Sequence, residues 1–386
     1  YFSPNGGDKW VKLKGGTPTI SFRDLAIQRR ENDLVGASFG RSFYVFDDIS
    51  VLREINDDVL NSEAKLFSSR KAWWYIPRSH LSFNNKRGSQ GSDHFVADNP
   101  PFGAVLTYYL KEELKTKKEI RTEKEKELKG DIPFPGWDTL EAERMENEPK
   151  VWVSISDSDG NFVRRVEGST KKGFHRIAWD LRYPAPHAIP LKESNPNSYT
   201  PKGLMAAPGK YMATLYQQLD GEVRQLSEPI EFDVVPLREG ALKGAPHEEV
   251  ASFWRSFEKT MRTNTAINMT LGNAITKVNR MKEVLNRSTS QSGNLDLKLH
   301  NLRKDLLNID QSLNGARSKS QIGEKTKPTI GDRLFSLQIG IANSTYGPTT
   351  NHKKGIDIIN KQLRQIQIRL ETATGTMSKL AADLID

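Results

Sequence analysis

Carboxylates are the first place to look for chemistry in this chain, because it has no cysteine and only 7 histidines, all scattered. Without cysteine there are no disulfides, no thiolate nucleophiles and no cysteine-ligated zinc or iron–sulfur centres. Glycoside hydrolysis would need two carboxyl groups across a bond, roughly 5 to 10 Å apart. Asp47-Asp48 is an adjacent pair at the end of a run that reads as a strand. At a strand end such a pair caps the connection that follows, so no catalytic residue is assigned. No phosphate-cradling P-loop, dinucleotide glycine fingerprint, G-x-S-x-G nucleophile elbow or H-E-x-x-H zinc motif is expected. His80 and His94 share one segment but lack a supporting carboxylate cluster, so neither a metal nor a cofactor is expected. Trp73, Trp74 and Arg78 read differently. Exposed indoles stack on sugar rings and a guanidinium pairs with carboxylates, which makes these three a candidate ligand-binding stretch.

The elements that must position these residues are bounded by composition. The 386 residues suggest two or three domains. Hydrophobic residues make up 36% and charged residues 27%, but 7 Trp, 10 Tyr and 16 Phe are too many for a disordered chain. No run of 18 apolar residues exists, so no membrane-spanning helix is predicted. The start at Tyr1, without Met or a signal pattern, predicts a mature or internal fragment of something longer. The net charge of +9 is unevenly placed: residues 1–240 carry 35 basic and 35 acidic side chains, residues 241–386 carry 22 and 13. The basic residues of the tail are spread at ordinary surface spacing, without the dense stripe and interleaved aromatics of a nucleic-acid binder. A solvated helical surface explains them first. An anionic partner such as an envelope polysaccharide or acidic protein comes second.

Residues 1–55 read as short strands at 20–27, 33–38 and 42–47, separated by polar and glycine-containing turns. The opening carries Ser3, Asn5, Gly7 and Trp10 at the spacing S-x-(D/N)-x-G-x-x-W. A side-chain oxygen at position 5 can hold turn amides, and Gly7 accepts a positive φ. This resembles the Asp-box, the hairpin turn of BNR-repeat β-propellers, with Asn5 in place of the usual Asp. The resemblance implies that Trp10 packs between neighbouring blades. The wording of 24–27 and 32–50 resembles the last blade of large bacterial sortilin-like BNR proteins, often labelled glycosyl hydrolases. Gln28 and Ser38-Phe39 stand where that family often has His and Thr-His, so any chemistry resting on those histidines is missing here. One blade cannot bury its own faces, so upstream blades are expected as its partner.

Residues 56–103 are a long aromatic and Arg-rich connection that resembles the linker wrapping the propeller in that family. Residues 104–236 read as a β-sandwich with a charged insertion at 111–148, whose first 19 residues hold 14 charged side chains. The pair G-x-H-x-I-x-W-D-x-R and A-P-G-x-Y, at 173–182 and 207–211, resembles the immunoglobulin-like domain of the flagellar hook-capping family. Trp179 is expected in the core, and Asp180 and Arg182 in a structural turn network. Residues 237–386 switch to helical spacing, with apolar positions such as Trp254, Phe257, Met261, Ile359, Leu363 and Ile366. Two long helices with shorter ones between them, at 293–312 and 329–345, predict an antiparallel helical bundle.

The fold class expected is therefore multidomain, β plus α: a last propeller blade, an Ig-like sandwich and a helical bundle. Two functions fit. One is a non-catalytic binding and assembly portion of a secreted, periplasmic or surface protein of a bacterium, engaging peptide or polysaccharide. The other is the accessory part of a BNR-type glycoside hydrolase whose catalytic carboxylates lie upstream.

Overall fold

The computed structural model describes all residues except 13–18, 78–98, 129, 187–188, 190–201, 289–292, 343 and 385–386. The chain is β-rich in its first part and helical in its last. It divides into two compact units, Tyr1–Leu181 with Pro208–Arg238, and Arg182–Ala207 with Glu239–Asp386.

The first unit opens with an antiparallel bridge between Phe2 and Val11, whose two N–H···O bonds are both 2.8 Å. Three strands follow as an antiparallel meander: β1 (Phe22–Gln28), β2 (Asp33–Ser38) and β3 (Phe43–Phe46). Leu25 pairs with Gly36 and Ile27 with Leu34 on one face, while Val35 pairs with Val45 and Ala37 with Phe43 on the other. Apolar side chains thus lie on both faces, and many are open: Leu25 is 62% exposed and Phe43 71%. A 3-10 turn at Ser50–Arg53 leads to α1 (Asp57–Asn61), whose first turn is capped by Asn56 accepting from the Val59 N–H at 2.8 Å.

Residues of the expected linker enter the sheets that follow. β4 (Ala64–Leu66) pairs with β6 (Ala104–Leu110), and β5 (Ala72–Trp74) pairs in parallel with β12 (Ile230–Pro236). Burial drives this, since Leu66, Phe67, Ala72 and Trp74 are all in the core. The charged insertion forms two short helices, α2 (Lys117–Glu127) and α3 (Trp137–Met145), with Arg121 bridging Glu125 and Glu143. Then come β7 (Lys150–Asp157), β8 (Phe162–Gly168), β9 (Gly173–Trp179), β10 (Gly209–Leu219) and β11 (Glu222–Gln225). One sheet has the order β5-β12-β10-β7-β8 with β11 on β10, and the other β4-β6-β9.

The two sheets meet through aromatic rings. Trp179 on β9 is 1% exposed and sits edge-on to Tyr211 of β10 at 5.0 Å and to Phe232 of β12 at 6.2 Å. Tyr108 of β6 reaches across to donate to the Ser169 carbonyl at 2.7 Å. Within the smaller sheet, Gly103, with φ +109°, lets the chain entering β6 lie against the end of β9, because a Cβ there would lie 1.9 Å from the Trp179 carbonyl oxygen.

The second unit is built on α4 (His247–Leu285), α5 (Leu295–Asn314), α6 (Arg317–Gln321), α7 (Ile330–Ala342) and α8 (Thr350–Ala382). Side-chain pairs fix their directions. Lys353 meets Glu249, and Thr260 donates to Asn360 at 2.9 Å, so α4 and α8 run parallel. Arg303 donates to Asn279 and Asn314 to Asn268, each at 3.0 Å, so α5 is antiparallel to α4. Arg369 reaches Ser312, and Lys298 lies 3.9 Å from Asp383, so α5 is antiparallel to α8 as well. A Cβ on Gly340 would touch His352 and one on Gly355 would touch Leu337, so α7 is also antiparallel to α8. The 20 residues of α5 and 13 of α7 thereby serve in succession as the column opposing the 33-residue α8. The expectation of an antiparallel bundle is refined by this. The two long helices are parallel, because α5 and α7 between them run in the same direction, each opposed to α8.

Residues 182–207, placed by sequence in the β region, group with the helices. Arg182 bridges Met205, and the Tyr183 N–H donates to the Leu204 carbonyl at 2.9 Å. The Leu204 N–H in turn donates to the buried Glu258 of α4 at 3.3 Å.

Candidate functional site

The first unit contains a cleft of about 700 Å3 between the opening turn, the end of β3, the 3-10 turn, α1 and β9. The turn forms one rim. Ser3 Oγ accepts from the Gly7 N–H at 2.7 Å and donates to Asn5 Oδ1 at 3.2 Å, while Asn5 Oδ1 accepts from the Lys9 N–H at 2.9 Å. Gly7 takes φ +115°, which a side chain would resist. This aims Lys9 at Asp57 of α1, 2.8 Å away.

The facing wall is the end of β3, where Asp47 and Asp48 have divergent environments. Asp48 is buried with φ +46°. Its N–H donates to Asp33 Oδ1 at 2.9 Å, and its carboxylate accepts from the Ser50 N–H and Oγ at 3.2 and 2.6 Å. Arg176 of β9 clamps both backbone carbonyls, donating to Asp47 O at 2.8 Å and to Asp48 O at 3.0 Å. Behind them Arg70 lies 4.0 Å from Asp48 and donates to Glu31 at 2.6 Å, and Trp73 Nε1 donates to Glu31 at 3.0 Å. The Asp47 carboxyl is the exception. It makes no hydrogen bond or ion pair with the described residues. Its pKa is pushed up by burial first and by the negative charge of Asp33, against the pull of Arg176 and Arg70.

The floor is apolar, made by Phe46, Ile49, Val51, Leu52, Ile55 and Phe174 among others. The arrangement suits binding: an apolar recess with one uncommitted carboxyl group. Asp48 is held by Ser50 and cannot act opposite Asp47. No group of three or more His, Asp or Glu side chains among the described residues could hold a metal ion. Compared with models of protein families, with curated proteins and with solved structures, the chain matches none.

Of the residues singled out from the sequence, Ser3, Asn5, Gly7, Asp47 and Asp48 come together around this cleft, and the others fall elsewhere. Trp10 is 62% exposed. The Trp pair is not presented together: Trp74 is 6% exposed in the core, because neighbours on a strand face opposite ways. Trp73 alone lines a shallow pocket of about 240 Å3 with Tyr75, Phe102 and Arg70. Arg78, like His80 and His94, lies outside the described residues. Trp179 is core, Asp180 is half-buried beside it, and Arg182 donates to the Gly203 carbonyl at 2.9 Å. Residues 36–40 also spell G-x-S-x-G, the spacing of a hydrolase nucleophile elbow. That elbow needs a strand-to-helix turn, whereas Ser38 ends a hairpin strand and donates to the Ser42 carbonyl at 2.8 Å. It is a structural serine. Arg70, Glu31 and Arg176 had no signal in the sequence, since each is an ordinary charged residue far from Asp48 along the chain.

Proposed function

We propose that this chain is a non-catalytic binding and assembly portion of a secreted, periplasmic or surface sortilin-like BNR propeller protein of a bacterium, engaging peptide or polysaccharide. In this reading residues 1–55 are the closing part of a propeller and the two facing sheets around Trp179 are its Ig-like domain. The observation that carries it is the opening sheet. A side-chain-braced turn at 3–10 accompanies a three-stranded meander with open apolar residues on both faces. Such a meander leaves apolar residues open on both faces, which further blades would cover. The basic surplus of 241–386 supports contact with an anionic envelope surface.

The test is hydrophobic-dye binding and hydrogen exchange on the full chain, beside a Leu25→Lys, Phe43→Lys variant. Dye fluorescence that falls in the variant, with fast exchange over β1–β3, is expected. Slow exchange over these strands, or fluorescence indifferent to the substitutions, would overturn the assembly reading. The other reading is an accessory part of a BNR-type glycoside hydrolase whose catalytic carboxylates lie upstream. It requires reducing-end release from polysaccharide by the completed assembly, and the first reading requires none.

A further inference from the structure

We propose that the cleft between the 3–10 turn and β9 binds peptide segments in which a lysine or arginine flanks a large apolar side chain, the cation pairing with Asp47 and the apolar group entering between Leu52 and Phe174. This rests on the binding half of the function proposed above, and it chooses peptide over polysaccharide for this cleft.

The choice follows from what the lining leaves uncommitted. Ser3 and Asn5 hold the turn, Lys9 is paired with Asp57, and Asn56 caps α1. Arg176 is occupied by two backbone carbonyls, and His175 Nε2 lies 2.5 Å from the Lys171 carbonyl. A sugar ring entering here would bring several hydroxyls to walls with few polar atoms free to receive them, at the cost of unmade hydrogen bonds. An aliphatic or aromatic side chain loses only apolar contact with water, which is favourable. Among the described residues, the Asp47 carboxyl is the one acidic group of the lining without a partner. The cations that act on it, Arg176 and Arg70, are engaged by the Asp47 and Asp48 carbonyls and by Glu31, so an incoming lysine or arginine is the partner left to it. Lys12, also on the lining, is the feature that would favour an acidic peptide instead, and the test includes that outcome.

The experiment uses the full chain and fluorescence anisotropy with labelled hexapeptides of core sequence Lys-Leu-Phe-Lys, Glu-Leu-Phe-Glu and Lys-Ser-Ser-Lys, and with chitohexaose. The first probe is expected to bind tightest. Asp47→Asn should weaken it about tenfold, the scale of one partly desolvated charge pair, and Leu52→Gln should weaken it too. Asp47 makes no side-chain bond that the fold needs, so the Asn variant should keep the parent circular dichroism. Equal binding of the acidic peptide, indifference to Asp47→Asn, displacement of the peptide by chitohexaose, or no peptide binding at about 1 mM, the millimolar limit of weak recognition, would each overturn the proposal. The dye and exchange experiment judges assembly of β1–β3 separately, so the two can fail independently.

Discussion

Two side chains show how burial decides the role of a residue whose type is ordinary. Glu258 lies in the first third of α4, where the apolar stripe gives no reason to expect a carboxylate inside. It is nevertheless buried, accepting the Leu204 N–H, and burial pushes its pKa up from 4.5 to about 7, against that hydrogen bond and the charge of Arg262. The sign follows directly. Between pH 4.5 and 7 the folded chain keeps a proton that the unfolded chain releases, so this group's contribution to stability is full below 4.5 and lost as pH rises through 7. Glu258→Gln should remove that dependence and raise stability at pH 8 by about 2 kcal/mol, with little change at pH 4. Urea midpoints at the two pH values measure it, and equal shifts at both would contradict the assignment. Trp179 is the converse, an expected core residue with ring partners from two strands. Trp179→Ala should cost about 3–5 kcal/mol, read as a drop in the denaturation midpoint.

Among the elements, the helical unit is the one whose periodicity was plain and whose arrangement was not. Trp254, Phe257, Ile359, Leu363 and Ile366 are all buried at the spacing the sequence shows. That spacing says which face of a helix is inside, but not which way its neighbour runs. The polar pairs Thr260–Asn360 and Asn268–Asn314 set the directions, leaving α5 and then α7 opposite α8. If α5 is packed within this unit, Leu306→Ala should cost about 2–5 kcal/mol, since Leu306 is fully buried, while Phe335→Ala on the open side of α7 should cost under about 1 kcal/mol. Thermal melts followed by helical circular dichroism separate the two. Similar losses from both would mean that α7 is covered in solution.

At the scale of the whole molecule, two units differ in character. The first carries the three sheets and the cleft, and the second holds the excess positive charge, with 22 basic against 13 acidic side chains over 241–386. Charge on a solvated surface acts over about 10 Å at 0.1 M salt, so an envelope contact made this way should weaken steeply as salt rises. Co-sedimentation of the full chain with bacterial envelope material across a salt series tests this, beside a variant with Lys298, Arg303 and Lys304 changed to Gln. Binding indifferent to both salt and the substitutions would leave the basic surface as solvation alone.

The sequence by itself determined the local structure. Alternating apolar residues and turn residues placed β1 to β3 within two residues of where they lie, and helical spacing placed α5 and α7. Ser3, Asn5 and Gly7 foretold a braced turn, because a side-chain oxygen four residues from an amide is a local relation. Only the tertiary structure decided what those pieces meet. Arg176 reaches Asp47 across 129 positions, and Arg70 reaches Glu31 across 39. It also buried Trp74 rather than presenting it, turned the two long helices parallel, and drew Leu204 to Glu258. The physical reason is the same in each case. Periodicity and turn chemistry report on neighbours within a few residues, whereas a charged side chain carries no mark of the distant backbone carbonyl or carboxylate that the fold will bring beside it.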